Sequence, residues 1–330
     1  MNNYVGTNYA IVDGQLISTG YSGIVYAYDV TDGDLMWSYA ADDVYSEVLW
    51  ANNWPLQILF ITDGKVYLGH YEHSPIDPKP RGAPFICLDM ATGDVVWRID
   101  GAFRQTSWGG MALIGDSIIT TMDTYDQQIY GIGKGASELT LSAAPKVSTL
   151  GGSVLIEGTV MDVSPGTKET DLAIRFPSGV PAISDADMGD WMKYVYKQFA
   201  RPADATGVIV DLCAVDPNGN YQDLGSTTTD SYGTFAVAFE PEVTGKYMVI
   251  ASFAGSEGYY GSTKTTYVQV DPAPAAATPM EPEEPEPELP AEESTEPAAP
   301  LITTEVAIAL AVLAVAIVAA VVFVVLRRRK

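Results

Sequence analysis

The chain has 330 residues, which is enough for two or three domains, and its formal net charge is −24 at pH 7. Residues 1–270 contribute −18 of this charge, and residues 271–300 contribute −9. Such an acidic chain repels phosphate backbones, so no nucleic-acid partner is expected.

Two segments near the N-terminus repeat at a constant spacing. Residues 24–37 and 85–97 each read as a strand, a tight turn and a second strand. The matched positions, each pair 60 residues apart, are Asp29 and Asp89, Gly33 and Gly93, and Trp37 and Trp97. An Asp-Gly hairpin precedes each segment, and a third copy with a turn at Gly115-Asp116 covers residues 111–133. Four short strands in every 50–60 residues are typical of propeller blades.

The pattern Asp-x-x-Thr-Gly-x-x-x-Trp resembles the repeat of β-propellers of the pyrroloquinoline-quinone (PQQ) type. Residues 89–97 match it in full, residues 29–37 match it except for Asp32 in the place of Thr, and the third copy resembles a degenerate last blade without Trp. In that repeat the Trp wedges between neighbouring blades while the Asp and Thr close the turn. The resemblance implies structural roles for Asp29, Gly33, Trp37, Asp89, Thr92, Gly93 and Trp97.

Residues 1–137 are therefore predicted to form about three blades of an incomplete propeller. Propellers of this type close with more blades, and an open wedge leaves bare strand edges. The first residues lack a secretory signal. We expect either that the chain is the C-terminal part of a longer protein, which would supply the signal and the other blades, or that a partner chain completes the ring.

Residues 138–270 keep the strand-like pattern but lose the repeat, which predicts an antiparallel β-sandwich. The predicted strands cover residues 139–143, 153–161, 170–176, 208–215, 221–229, 234–239, 246–253 and 265–270. The turn at residues 229–235, followed by Gly245-Lys246-Tyr247, resembles prokaryotic immunoglobulin-like surface modules.

A helix is predicted over residues 185–199, inserted in the sandwich. Ser184 to Asp187 supply a cap and acidic first turn, and Pro202 is expected to end the helix. One face is apolar through Met188, Trp191, Met192, Val195 and Phe199. Packing of this face on the sandwich is favoured because an exposed apolar stripe is costly, and the alternatives are a partner-docking helix or a brace against the propeller.

Residues 271–303 are predicted to be a disordered stalk. Nine prolines and eight glutamates fall within residues 271–300, which contain no Lys, Arg or aromatic residue. A segment of this composition cannot bury a core and stays extended.

A single transmembrane helix is predicted over residues 304–326. Its centre, residues 306–326, has 21 residues without one polar side chain and would span roughly 31 Å as a helix, close to the thickness of a bilayer's hydrocarbon core. The basic tail Arg327, Arg328, Arg329 and Lys330 is typical of a stop-transfer sequence held in the cytoplasm. This predicts a cell-membrane protein with its N-terminal part outside, and a tail anchor with residues 1–300 in the cytoplasm is the alternative.

Few residues suggest chemistry. His70 and His73 are weak metal candidates, since no further ligand accompanies them, and Asp-rich turns are better explained as turns than as calcium loops. Cys87 and Cys213 are interpreted as buried free thiols, with a disulfide bond between them or to another chain as the alternative. The calcium ligands, catalytic Asp and vicinal disulfide of PQQ-dependent dehydrogenases have no match, so no cofactor and no enzymatic activity are expected.

The sequence thus predicts an all-β protein with a partial propeller, an immunoglobulin-like sandwich, a stalk and a membrane helix, similar to archaeal cell-surface proteins. Its predicted function is surface binding or envelope structure, and its expected partners are the lipid bilayer, other surface proteins or a chain that completes the propeller. The alternatives are a scaffold for envelope protein assembly and an extracytoplasmic quinoprotein-like enzyme whose active site lies in further blades.

Overall fold

The computed structural model describes residues 8–44, 53–72, 83–101, 103, 105–106, 111–123 and 126–274. The predicted membrane helix, the basic tail and nearly all of the predicted stalk lie outside the described residues. Within the described part, no helix combines the length and the apolar character needed to cross a membrane.

The first sheet is a four-stranded antiparallel meander in the order β1-β2-β3-β4. Its strands are β1 (Tyr9–Val12), β2 (Gln15–Ser18), β3 (Ile24–Asp29) and β4 (Leu35–Ala40). Asp13 and Gly14 join β1 to β2 with φ values of 47° and 79°. Two successive left-handed residues make the tight hairpin turn that an Asp-Gly pair favours. This is the strand arrangement of one propeller blade.

The second sheet repeats that meander in the order β5-β6-β7-β8, and a short strand β9 pairs in parallel with β6. Its strands are β5 (Leu56–Thr62), β6 (Lys65–Glu72), β7 (Phe85–Asp89), β8 (Val95–Ile99) and β9 (Gln105–Thr106). The β5–β6 turn at Asp63-Gly64 has the same left-handed geometry, with φ values of 51° and 63°. The 60-residue spacing thus corresponds to two sheets with the same strand order.

The third sheet has three strands, β10 (Leu113–Gly115), β11 (Ile118–Asp123) and β12 (Gln128–Ile132). The expected turn at Gly115-Asp116 is displaced by one residue. Gly115 pairs with Ile118 as the last residue of β10, and the left-handed turn residues are Asp116 and Ser117, with φ values of 50° and 63°. Among the described residues this sheet has no fourth strand, as the missing Trp suggested.

The sandwich consists of two further sheets that begin after β12. One contains β13 (Ser137–Ala144), β15 (Val154–Asp162), β16 (Val180–Pro181) and β19 (Thr234–Phe239), with β15 at its centre. The other has the order β14-β21-β20-β17-β18, formed by β14 (Val147–Thr149), β17 (Ile209–Val215), β18 (Tyr221–Thr228), β20 (Gly245–Gly255) and β21 (Tyr260–Asp271).

Alternate residues of the sandwich strands form its core. In β17, Val210, Leu212 and Ala214 are buried, whereas Ile209, which points to the opposite face of the strand, is 61% exposed. The same alternation places Val154 and Ile156 of β15 in one cluster with the buried residues of β20. Because side chains of a strand point to opposite faces in turn, this period of two covers one face of each sheet and leaves the other in water.

Two helices differ from the sequence-based predictions. Residues 170–176 were expected to form a strand, but Thr170–Arg175 is helix α1, preceded by the 3-10 turn Pro165–Lys168. Leu172 is 2% exposed and Phe176 packs beside it, while Ile174 is 75% exposed. The two packed side chains, Leu172 and Phe176, are thus four residues apart, as on one face of a helix. The sequence suggested a strand because apolar residues occur at every second position, at Leu172, Ile174 and Phe176.

The second helix, α2, covers Met188–Lys197 and is shorter than the predicted 185–199. Ser184–Asp187 form turns ahead of it, and Asp187 makes no side-chain cap to the helix. Gln198, with a left-handed φ of 58°, ends it. Pro202 is therefore not the residue that terminates the helix.

Substitution of Leu212 by Ala tests the sandwich core. Removing a buried Leu side chain from a close-packed core leaves a cavity, so we expect the free energy of unfolding to fall by about 2–5 kcal/mol. Ile209→Ala on the same strand is the matched control, because its exposed side chain should change stability by less than about 0.5 kcal/mol. Urea unfolding of both variants measures the difference, and equal losses would contradict the assigned register.

Candidate binding surfaces

The Asp of each repeat closes the turn after it. The Oδ1 of Asp89 accepts the backbone N–H groups of Ala91 at 2.8 Å and Thr92 at 3.0 Å. These hydrogen bonds hold the pKa of the Asp89 carboxyl below its ordinary value, and the bond from Thr92 has the largest effect. The Oγ1 of Thr92 accepts the N–H of Asp94 at 3.2 Å. The side-chain oxygens that the repeat resemblance singles out are therefore engaged in the turn itself.

The first repeat makes the same turn with different residues. The Oδ1 of Asp32 accepts the N–H of Asp34 at 2.9 Å, which is the bond that Thr92 makes in the second repeat. Thr31 donates hydrogen bonds to Asp29 from both its hydroxyl and its N–H. Both bonds lower the pKa of Asp29, and the bond from the hydroxyl has the larger effect. The departure at Asp32 from the repeat pattern thus preserves the turn.

The indole of Trp37 lies between the first and second sheets. It is 8% exposed, and its Nε1–H donates to the backbone carbonyl of Met90 at 2.9 Å. A Cβ on Gly93 would lie 2.6 Å from the indole ring, so only glycine leaves room for it. Because Gly93 also has φ 76°, its absence of a side chain serves both the turn and the wedge.

The second Trp lies at the next interface. Trp97 stacks on Phe85 with ring centroids 5.4 Å apart and packs in a cluster that includes Ile119 of β11 and Tyr130 of β12. Trp37 belongs to the preceding cluster, between the first two sheets. The two repeat Trp residues therefore cover successive interfaces.

The structure describes one of the two metal candidates. His70 is 3% exposed, lies 5.0 Å from the ring of Trp54 and has its Nδ1 3.0 Å from the carbonyl oxygen of Pro55. His73 lies outside the described residues. Across the described residues, no group of three or more His, Cys, Asp or Glu side chains could hold a metal ion.

Both cysteines are free thiols. Cys87 is fully buried, and this burial raises the pKa of its thiol to about 11. Cys213 is half-buried rather than buried as expected. It lines a shallow concavity of about 450 Å³ on the outer face of the second sandwich sheet, together with Asp211, Tyr221 and Asp223. Although Asp211, Cys213 and Asp223 all line this concavity, they are not arranged as a group that could hold a metal ion.

The apolar face of α2 is covered by the chain itself. Trp191 and Val195 are each 1% exposed and pack with Leu172 and other residues around α1. Met188 and Met192 pack against the sandwich core. This face therefore packs within the chain. Trp191 and Val195 are buried there, so they are not available to dock a partner. Phe199 lies beyond the end of the helix, where Lys193 lies 5.5 Å from its ring centre.

The last turn of α2 is joined to the third sheet by a buried cation. The Nζ of Lys197 lies 2.6 Å from Oδ2 of Asp123 and 2.9 Å from Oδ2 of Asp126, and its side chain is 7% exposed. The ammonium also lies 3.9 Å from the ring centre of Tyr130 and 4.8 Å from that of Phe103. Carboxylates and aromatic faces together compensate the loss of water around the charge. The interpretation of α2 as a brace against the propeller therefore has this contact between Lys197 and the third sheet in its support.

Carboxylates tie the start of α2 to the sandwich. Asp185 accepts hydrogen bonds from the hydroxyl of Ser256 and from the N–H groups of Glu257 and Gly258, each at 2.8–2.9 Å. Burial alone would raise the pKa of Asp185, but these bonds outweigh it and leave the pKa below its ordinary value. Asp185 therefore fixes the segment before the helix to the loop between β20 and β21.

Asp187 holds the same segment from its other side. Its Oδ2 accepts the N–H of Thr206 at 2.9 Å and the hydroxyls of Ser184 and Thr206, both at 2.8 Å. These bonds lower the pKa of Asp187, and the bond from the N–H of Thr206 has the largest effect. The residues expected to cap the helix thus hydrogen-bond to distant loops instead.

Sequence reasoning did not identify Lys197, Asp123 and Asp126. Lys197 lies 74 residues from Asp123 and 71 from Asp126, so no local spacing connects them. The signal available in the sequence was a Lys in the last turn of an amphipathic helix, which ordinarily indicates an interaction with the helix dipole.

Comparisons with known proteins do not assign a family. No family model matches the chain, and no curated protein matches it. Among solved structures, the chain is similar to BamB from Moraxella catarrhalis, with 12% identity, a TM-score of 0.26, and coverage of 70% of this chain and 71% of that one. A europium-containing methanol dehydrogenase is 15% identical with a TM-score of 0.25, over 48% of this chain and 23% of that one.

A third similar structure is the quinohemoprotein alcohol dehydrogenase ADHIIG from Pseudomonas putida HK5, with 18% identity and a TM-score of 0.23. The similarity to this enzyme covers 48% of this chain and 19% of the enzyme. The chain thus spans about a quarter or less of the two dehydrogenases. The partial-propeller architecture rests on the order and register of the sheets themselves, and these likenesses carry no argument about function.

Replacing Lys197 by Met tests the buried cation. This change removes the cation from the buried Asp123 and from the more exposed Asp126, so we expect the free energy of unfolding to fall by about 3–5 kcal/mol. Lys65→Met is the control, because Lys65 pairs with Asp63 at the surface at 3.0 Å, and such pairs contribute about 0–1 kcal/mol. Urea unfolding of the two variants gives the comparison, and a loss no larger for Lys197→Met would rule out the brace.

The lowered pKa values of Asp185 and Asp187 predict a loss of stability in acid. A carboxyl whose pKa is lower in the folded state stabilises the fold above its unfolded pKa of about 3.9, and this contribution is lost as pH falls through the folded pKa. We expect Asp185→Asn and Asp187→Asn to lower the urea midpoint at pH 7 and to lose less stability than the parent between pH 5 and pH 2.5. Asp171→Asn, at an exposed position of α1, is the control, and a parent-like acid dependence in both test variants would contradict the assignment.

Proposed function

We propose that the chain is a membrane-anchored cell-surface protein that displays its β-modules on a stalk. The observation that carries the proposal is the apolar run of residues 306–326 followed directly by four cations. A helix of that length matches the bilayer, and the cations favour a cytoplasmic C-terminus. The N-terminal part would then lie outside the cell.

The segment before the run supports a spacer. Residues 271–300 combine nine prolines with eight glutamates, so they cannot form a core of their own. At about 3.1 Å per residue, a polyproline conformation would extend up to about 90 Å, and repulsion among the carboxylates favours the extended form. Such a spacer would hold the folded modules away from the lipid.

We propose that the sandwich is an immunoglobulin-like module of the kind found in surface proteins. Its two packed sheets, which are antiparallel except where β14 pairs with β21, and the turn at residues 229–235 support this proposal. Together with PQQ-type repeats and a C-terminal anchor, it makes the chain similar to archaeal cell-surface proteins. Helix α2 would be an insertion that joins this module to the blades.

We propose binding or envelope structure, rather than catalysis, as the role of the displayed modules. The repeat carboxylates Asp29 and Asp89 are engaged in turn hydrogen bonds, and Trp37 is engaged between sheets. The polar groups that the repeat resemblance singles out thus have structural partners already. The net charge of −18 on residues 1–270 makes an acidic polymer an unsuitable ligand.

The anchor is tested by extraction and by protease. We expect externally added protease to digest residues 1–270 on intact cells, and detergent but not high salt to release the protein from membranes, because the apolar run holds it in lipid. A variant truncated after residue 303 is the matched control and should be recovered without detergent. Protection of the modules on intact cells, or release of the full chain by salt alone, would contradict the proposal.

A further inference from the structure

The outer face of the second sandwich sheet carries a row of apolar and aromatic side chains. Strand pairing aligns one residue from each of β18, β17, β20 and β21, in that order: Tyr221, Val215, Met248 and Tyr267. Residues that pair across antiparallel strands point to the same face, so these four side chains lie in one line across the sheet. Neighbouring strands lie about 4.8 Å apart, so the three gaps place the two Tyr residues roughly 14 Å apart. We call these four residues the tyrosine row.

The two ends of the tyrosine row are exposed to solvent. Tyr221 is 69% exposed and Tyr267 is 49% exposed, whereas Val215 and Met248 between them are half-buried. The ammonium of Lys246 lies 4.2 Å from the ring centre of Tyr267 and covers one side of that ring. Single exposed apolar residues are ordinary on a protein surface, but a contiguous group with polar residues around it is typical of a binding site.

The concavity of about 450 Å³ that Cys213 lines opens beside Tyr221, at one end of this row. Part of its lining is apolar and half-buried, formed by Cys213 and Ile250, which pair across β17 and β20. Its polar lining residues supply two carboxylates and two hydroxyls, and they are Asp211, Asp223, Ser226 and Ser252. A cleft of about 300–1,000 Å³ with apolar walls and a few polar groups has the ordinary dimensions of a small-ligand site.

Tyr221 and the two carboxylates are placed to contact a molecule in this concavity. Hydrogen bonding with the Cys213 thiol raises the pKa of Tyr221 and has the largest effect on it, so the Tyr221 side chain leans over the lining residue Cys213. Asp223 uses Oδ1 to accept the N–H of Gly225 at 2.9 Å, and its Oδ2 can accept a hydrogen bond from a ligand. The carboxylate of Asp211 is exposed at the same opening and adds further acceptors.

We propose that the concavity and the tyrosine row bind an uncharged oligosaccharide, with one sugar ring stacked on Tyr221 and its hydroxyls donating to Asp211 and Asp223. A pyranose ring has C–H groups on its faces and hydroxyls around its edge, so it requires an aromatic face with hydrogen-bond acceptors beside it. Tyr221 provides the face and the two carboxylates provide the acceptors. The separation of roughly 14 Å between the tyrosines exceeds one sugar ring, so a ligand that also reaches Tyr267 is a chain of sugars.

The charges on this face favour an uncharged ligand. Asp211 and Asp223 lie at one end of the face, and Lys246 lies at the other end beside Tyr267. A polyanion is repelled by the two carboxylates and by the charge of −18 on residues 1–270, and a polycation meets the ammonium of Lys246 at the far end. A neutral chain of hydroxyl-bearing sugars is repelled at neither end and donates hydrogen bonds to the carboxylates.

Binding of the detergent-solubilised full chain to immobilised polymers tests the proposal. The panel contains neutral oligosaccharides of glucose, mannose and N-acetylglucosamine, with polygalacturonate as the polyanion and polylysine as the polycation. We expect binding to at least one neutral oligosaccharide, and this binding should not change with added NaCl because salt screens only charges. Tyr221→Ala should weaken it by on the order of tenfold or more, as expected when an aromatic anchor is removed. Tyr221→Phe keeps the ring and should retain binding.

Tyr9→Ala is the matched control, because Tyr9 is 62% exposed on β1 of the first sheet and its removal should leave binding unchanged. Urea unfolding of Tyr221→Ala should match that of the parent, which shows that lost binding is not lost folding. Binding to no neutral oligosaccharide, binding to a charged polymer alone, or equal binding by Tyr221→Ala and the parent would each overturn the proposal. The inference rests on the proposed binding role and not on the anchor, so release of the protein by salt alone would leave this result unaffected.

Discussion

The contact between the Trp37 indole and Gly93 holds together the first two sheets, and the geometry of the N-terminal half depends on it. An antiparallel sheet has two faces, and a blade of apolar strands must cover both. Trp37 covers one of them while its Nε1–H satisfies the Met90 carbonyl. The same demand recurs at each successive sheet, where Trp97 packs towards the third sheet. Each sheet of this repeat therefore needs a neighbour against both of its faces.

At one end of the described blades, the chain meets this need with a different structure. Among the described residues the third sheet has neither a fourth strand nor a Trp, and helix α2 of the sandwich insertion lies against it through Lys197. A buried ammonium between carboxylates and aromatic rings is a directional contact, unlike the apolar clusters between the sheets. Asp185 and Asp187 fix the other end of the same segment to the sandwich. The insertion therefore makes one compact unit of two β architectures.

The outer face of the first sheet is more exposed than the equivalent face of the second sheet. The third sheet is joined to the sandwich through charges, whereas this face presents an apolar surface in a chain with strongly acidic composition. Net negative charge favours solubility and discourages pairing of identical copies.

The sequence by itself determined the repeat, its turns and the alternating strands, because these depend on contacts between residues close along the chain. The Asp-Gly hairpins and the turn that Asp32 closes in the place of Thr92 follow from short-range hydrogen bonds. The strands of the sandwich follow from an alternation of apolar residues with a period of two. The helical state of residues 170–175 was missed because Leu172, Ile174 and Phe176 alternate like a strand, and burial against the residues around α2 selects the helical spacing.

Tertiary structure alone decided the contacts between distant segments. Lys197 meets Asp123 and Asp126 across more than 70 residues of sequence, and Asp185 meets Gly258 across 73. The difference in burial between Tyr28 and Leu88 was likewise invisible in the repeat, because the two residues occupy the same repeat position and differ only in what packs against them. Local sequence specifies the conformation of a segment, whereas burial and the pairing of charges depend on which segments the whole fold brings together.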